Sequence, residues 1–182
     1  MKSADDHFDA ANFAELHGRY SEANAHYEKA LELQPDFPEA LDNRAANWVE
    51  LEEYAKAIAD YERLIDFWPQ NPEVHGNLAQ IYVSAEDISF HDYQLALYHA
   101  TRACELCLFS EFRHLSTLAA AHAANGQYAK AISLQKQAIK IASREFEAEV
   151  WVPVLNDRLI EYRQKYAEQR PVLEWFRRLF RR

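Results

Sequence analysis

Cys104 and Cys107 are the residues whose spacing most directly invites chemistry. A C-x-x-C pair can cycle between dithiol and disulfide, or supply half of a four-ligand zinc site. The other half is missing, because these are the only two cysteines of the chain. The surrounding Ala103-Cys104-Glu105-Leu106-Cys107 reads as a packed helix, so the pair is expected to be structural, with no metal and no cofactor. Eight histidines are scattered along the chain, none in an H-E-x-x-H arrangement. Neither a phosphate-binding glycine loop, a G-x-S-x-G elbow nor a dinucleotide fingerprint occurs. No catalytic residue is assigned, and the chain is not expected to be an enzyme.

Charge is the next constraint. The formal net charge is −9, yet residues 170–182 hold five arginines (170, 177, 178, 181 and 182) against one acid, Glu174. The residues before 170 are therefore more acidic than the total suggests, and an acidic surface repels phosphate. Nucleic acid is excluded as a partner of that body. The start, Met1-Lys2-Ser3-Ala4-Asp5-Asp6, lacks the basic and apolar segments of a signal peptide. No run approaches the roughly 18 apolar residues of a membrane span. A cytoplasmic protein is expected.

What positions the polar side chains is a recurring helical pair. The string Gly18-x-Tyr20-x-x-Ala23-x-x-x-Tyr27-x-x-Ala30-Leu31-x-x-x-Pro35 returns from Tyr54 to Pro69, again from Tyr93, and once more at Gly126-x-Tyr128-x-x-Ala131. A period near 34 residues marks stacked helical hairpins, each too small to bury its own apolar face. Ala11, Ala45, Ala79 and Ala119 on the first helices, and Ala23, Ala57, Ala96 and Ala131 on the second, would let neighbouring helices approach closely. The tyrosines would fill the space between them. Gly18 and Gly126 suit a left-handed helix end, and Pro35 and Pro69 cannot continue a helix.

The pattern resembles the tetratricopeptide repeat (TPR) family. That resemblance implies an all-α, right-handed α-solenoid of about four helix-turn-helix repeats, at 4–37, 38–71, 72–110 and 112–145, with a C-terminal capping helix within 146–168. The third unit departs most, with five extra residues around Ser84 to Asp92. Ile88 and Phe90 are apolar for a loop tip and are expected to fold back onto the array. Pro153 is expected to kink the closing helix or start a new one, with Val150, Val154, Leu155, Leu159 and Tyr162 on one apolar face. Segments 100–106, 115–122, 129–138 and 158–163 look like a bacterial subset of these repeats, which implies a bacterial origin.

In the family, ligands lie in a concave groove lined by the first helix of each unit. The resemblance places Phe8, Asn12, Glu39, Asp42, Asn43, Glu73, Asn77 and Gln80 there, and from the fourth unit Arg113, Ser116, Thr117 and Ala120. One family subset clamps chaperone C-terminal carboxylates with two asparagines and three basic residues. Asn12 and Asn43 match that pattern. Phe8, Glu73 and Asn77 stand at its basic positions, and a carboxylate in that acidic pocket would meet like charge instead of a charge-assisted hydrogen bond, so the clamp function is rejected. The implied function is a scaffold holding a peptide or helix of a partner protein that is not acidic.

The last segment has its own logic. At 100° per residue, Val172, Leu173, Trp175, Phe176, Leu179 and Phe180 share one side, while Glu174 and the terminal arginines take the other. An amphipathic tail at 169–182 needs a surface to lie on. Trp175, Phe176, Arg177, Arg178 and Phe180 are its candidate contacts. The surfaces weighed are the chain's own array, a groove in a partner or second copy (homo-oligomer), and an anionic membrane, as a peripheral adaptor.

Overall fold

The computed structural model describes the backbone of residues 2–179 and the side chains of residues 2–170. The described residues are helical, without strands. The helices are α1 (Ala4–Leu16), α2 (Tyr20–Leu33), α3 (Pro38–Glu50), α4 (Tyr54–Phe67), α5 (Pro72–Ser84), α6 (Tyr93–Leu106), α7 (Phe112–Ala124), α8 (Tyr128–Ala142) and α9 (Ala148–Leu179). They form two compact units, Met1–Asp92 and Tyr93–Arg182. The division falls inside the expected third repeat, with α5 in the first unit and α6 in the second. In the first unit each helix from α1 to α5 packs on the next; in the second the same holds from α6 to α9.

Local sequence explains where the helices begin and end. Ser3 caps α1 through a reciprocal pair, Asp6 N to Ser3 Oγ at 3.1 Å and Ser3 N to Asp6 Oδ2 at 2.7 Å. Those Ser3 hydrogen bonds hold the Asp6 carboxyl below its usual range. Pro38 and Pro72 open α3 and α5, where the missing N–H is not needed. Four helices end in the same hydrogen-bonded cap. Residue pairs 18/19, 52/53, 108/109 and 126/127 send their N–H groups back to carbonyls three and five residues earlier. The geometry demands a left-handed residue at the first of each pair. Gly18 (φ 70°) and Gly126 (φ 69°) supply it freely, but Glu52 (φ 58°) and Leu108 (φ 53°) adopt it with a side chain. Phe109 (φ 56°) is left-handed as well.

The small residues behave as the spacing requires: Ala11, Ala23, Ala45, Ala57, Ala79, Ala96, Ala119 and Ala131 are all fully buried. Tyr27, Tyr54 and Tyr61 are buried, whereas Tyr93 is 40% exposed. In the loop after α5, a 3-10 turn at Ile88–Phe90 brings the Phe90 ring to 5.6 Å from that of Tyr54. Phe90 therefore folds back as expected, while Ile88 stays 77% exposed.

α9 begins at Ala148 and continues across an exposed Pro153, which therefore starts no new helix. So near the helix start, proline removes only one intrahelical hydrogen bond. The buried stripe of α9 is Leu155, Leu159 and Tyr162; Val150 and Val154 are 57% and 47% exposed, contrary to expectation. The stripe continues instead through Trp151, which meets Phe112 of α7. Among the described residues no helix is long and apolar enough to cross a membrane.

Candidate functional site

In the first unit α1, α3 and α5 carry the eight groove residues expected from sequence. Tyr27, on α2, is the hub. Its hydroxyl lies 2.6 Å from Asn12 Oδ1 and 2.7 Å from Glu15 Oε2, and it accepts from Asn43 Nδ2 at 3.0 Å. One phenolic hydrogen serves two acceptors, so the Tyr27 oxygen must receive the Asn43 bond, which fixes that amide with Nδ2 inward. Asn43 Nδ2 also donates to Asn12 Oδ1 at 3.2 Å, and Asn47 Nδ2 to Glu15 Oε2 at 3.3 Å. Burial, reinforced by Glu15, pushes the Tyr27 phenol well above its ordinary range, so it stays protonated.

The motif repeats one hairpin later. Asn77 Nδ2 donates to the Tyr61 hydroxyl at 3.2 Å, and burial followed by the Asp42 charge raises the Tyr61 phenol. Tyr27–Asn43 and Tyr61–Asn77 are both separated by 16 residues. Each amide turns its donor toward a tyrosine. The Oδ1 atoms of Asn43 and Asn77 take no hydrogen bond, yet neither is a buried unsatisfied atom; each is a free acceptor on the surface.

Around these acceptors stand carboxylates. Asp42 is half-buried, and burial, then Glu73, raises its carboxyl above the ordinary value. None of the described cations pairs with it. Glu39 and Glu73 are exposed. Phe8 packs at 4.7 Å from the Phe37 ring and 5.8 Å from Tyr27, giving this acceptor-rich face one aromatic edge. Gln80 turns along its own helix, where its Nε2 donates to Ser84 Oγ. Sequence reasoning treated the tyrosines as packing and missed their hydroxyls, although the repeated 16-residue Tyr-to-Asn spacing was a readable signal.

A second network missed from sequence braces the same unit. Arg44 of α3 grips Asp60 of α4 in bidentate fashion, at 2.8 and 2.7 Å, both groups largely buried. The cysteines also find their place. Cys104 is buried and free, its thiol pushed up to about 12 by burial, so it carries almost no thiolate. The side chains of Trp175, Phe176, Arg177, Arg178 and Phe180 lie outside the described residues.

Comparison with known proteins bears on the fold. Two stretches match sequence profiles described as tetratricopeptide repeat, residues 8–72 and residues 113–149, together more than half of the chain. No curated protein matches it in sequence. Among solved structures, it is similar to residues 41 to the end of MamA from Desulfovibrio magneticus RS-1, with TM-score 0.70 and 16% identity over 96% of this chain and 95% of that one. It is also similar to TTC0263, a thermophilic TPR protein of Thermus thermophilus, with TM-score 0.61 and 23% identity over 91% and 89%. YrrB, described as a TPR protein with an unusual peptide-binding site, gives TM-score 0.66 and 22% identity over 91% and 82%. At these identities the likeness speaks for the fold, an all-α solenoid of helix pairs. The chain belongs to the tetratricopeptide repeat family.

Proposed function

We propose that the protein is a non-enzymatic interaction scaffold whose α1–α3–α5 face holds a donor-rich, basic peptide or helix of a partner protein. The observation that carries this reading is the acceptor-rich character of that face. Four of its free groups, Asn43 Oδ1, Asn77 Oδ1, Asp42 and Glu39, accept hydrogen bonds or carry negative charge, against the single amide donor Asn12 Nδ2. A lysine or arginine beside Asp42 would relieve a carboxyl that now sits half-buried without a cation. Main-chain N–H groups would meet the two amide oxygens, which recur one repeat apart. Phe8 offers an aromatic anchor at one end, and such anchors contribute most of the affinity in protein interfaces. The fold likeness to YrrB, whose description includes a peptide-binding site, agrees with this use of the scaffold.

Isothermal titration of the full chain with a lysine- and arginine-rich peptide tests the reading. Binding should weaken with salt and fall by up to about fivefold for each of Asp42→Asn and Glu73→Gln, in line with the about 0.2–1 kcal/mol of exposed pairs. Equal affinity in wild type and both variants would remove the proposal.

A further inference from the structure

The second unit carries a feature of opposite sign. Arg113 of α7 is exposed, and its guanidinium lies 5.1 Å from the Trp151 ring centre and 5.5 Å from that of Phe112. The two rings are 5.8 Å apart. One turn further along α7, the buried Ser116 accepts a hydrogen bond from Arg158 Nη1 at 3.1 Å. Trp151 and Arg158 stand two turns apart on α9 and so share a side of it. Aromatic faces and a neutral hydroxyl hold these two guanidinium groups in place without neutralising them.

The absence of carboxylate partners distinguishes this pair from three other arginines of the described residues. Arg44 is bonded to Asp60, Arg19 to Glu22 and Arg102 to Glu105. Among the described residues neither Arg113 nor Arg158 forms such a bridge. Glu147 accepts the Trp151 indole N–H instead, at 3.2 Å. The chain's own end is a poor occupant, since residues 170–182 hold five arginines against one acid.

From this geometry we infer that the α7–α9 seam is a docking surface for an acidic polypeptide segment, with one carboxylate on Arg113 and another on Arg158. Guanidinium forks match carboxylates in a bidentate way and are weakly hydrated, so they suit a partly desolvated interface. Arg113 and Ser116 are three residues apart on one helix, about 5–6 Å between Cβ atoms. Acidic side chains two residues apart on an extended strand lie about 6.5–7 Å from each other, and those one turn apart on a helix about 5–6 Å. Either is close to the spacing of the Arg113 and Ser116 positions. An overall charge of −9 disfavours a long polyanion such as nucleic acid, whose phosphates would meet the rest of the surface. This surface is independent of the acceptor face in the first unit.

The test uses the full chain and a fluorescently labelled peptide of alternating Glu and Ala, read by anisotropy. Arg113→Gln/Arg158→Gln should bind about tenfold more weakly, and Arg113→Lys, which keeps charge but loses fork and ring stacking, should fall between. Asp42→Asn should leave this binding unchanged. Thermal melts of the arginine variants, expected to match wild type within a few degrees, separate lost binding from lost fold. Three results would overturn the inference: no binding of the Glu peptide by wild type, equal binding by wild type and the double variant, or tighter binding of a single-stranded oligonucleotide than of the peptide.

Discussion

The second residue of α3 and of α5 is a glutamate, Glu39 and Glu73; the second residue of α7 is Arg113. The fifth and sixth positions change in the same direction, from Asp42 and Asn43 in α3 to Ser116 and Thr117 in α7. On the second helices, the eighth residue is Tyr27 in α2 and Tyr61 in α4, but Gln135 in α8. Meanwhile Ala11, Ala45, Ala79 and Ala119 do not vary and are all fully buried. The contrast separates two kinds of position. Those that set how closely helices approach tolerate only a small side chain. Those on the face can reverse charge from one unit to the next, because packing between helices does not fix them.

The largest expected effect comes from the Arg44–Asp60 bridge, which only the first unit has. The same seventh positions in α7 and α8 are Leu118 and Leu134. Arg44→Leu should destabilise by about 3 kcal/mol in urea denaturation, because it strands a buried carboxylate. Arg44→Leu with Asp60→Leu should recover most of that loss, since the second unit already uses leucine at both places. A double variant as unstable as the single would show that the two units are not interchangeable in their packing.

The next effect concerns the eighth position. Tyr27→Phe removes the hydroxyl shared by Asn12, Glu15 and Asn43 and should cost about 1–2 kcal/mol. Gln135 donates to the Leu155 carbonyl at 2.9 Å but leaves its own Oε1 buried and unpartnered. Gln135→Leu should therefore change stability by less than about 1 kcal/mol, because it also removes that unmet acceptor. Equal losses at both sites would break the distinction.

A smaller gain is expected at the helix ends. Glu52→Gly, at the position Gly18 holds one repeat earlier, relieves a left-handed residue that costs about 1–2 kcal/mol, less the about 0.5–1 kcal/mol of added backbone freedom. A net stabilisation of about 0.5 kcal/mol should raise the urea midpoint, and Leu108→Gly should do the same in the second unit.

The smallest effect is on pH. Burial, then His7, lowers the His26 imidazole below its ordinary value, with Lys29 and Lys2 adding to the shift and Glu22 opposing it. The two Nδ1 atoms of His7 and His26 are 3.3 Å apart. The unfolded chain then holds the proton more tightly, so the contribution is complete above about pH 6.5 and is lost as pH falls through the folded value. His122 in the second unit is lowered too, chiefly by burial, and the raised Asp42 carboxyl acts in the opposite sense at lower pH. His26→Gln should flatten the decline in urea midpoint between pH 7.5 and 5.5 only in part. A variant that declines as steeply as wild type would rule out the pair.

Much of the fold was legible because it depends on side-chain size at fixed intervals. Alanine, proline and glycine leave a strong periodic trace, and Gly18 and Gly126 pointed to their left-handed turns directly. Glu52 and Leu108 were not legible as such turns, because there the cap's hydrogen bonds override residue preference. The polar face was half readable. Its acids and asparagines follow from the repeat register, while the tyrosine hydroxyls that orient the amides depend on how two helices cross. Arg113 could be placed on its face from the repeat alone. Its association with Trp151, and that of Ser116 with Arg158, requires the register of α9 against α7, which no repeat encodes.

The central claim is that the two units present binding faces of opposite sign. Amide chemical-shift mapping of the full chain, with a Lys-rich and then a Glu-rich peptide, tests it most directly. The account predicts that the Lys-rich peptide shifts resonances of α1, α3 and α5 around Asn43 and Asn77. The Glu-rich peptide should shift those of α7 and α9 around Arg113 and Arg158. Both peptides perturbing one shared set of residues, or shifts confined to α2, α4 and α8, would contradict it.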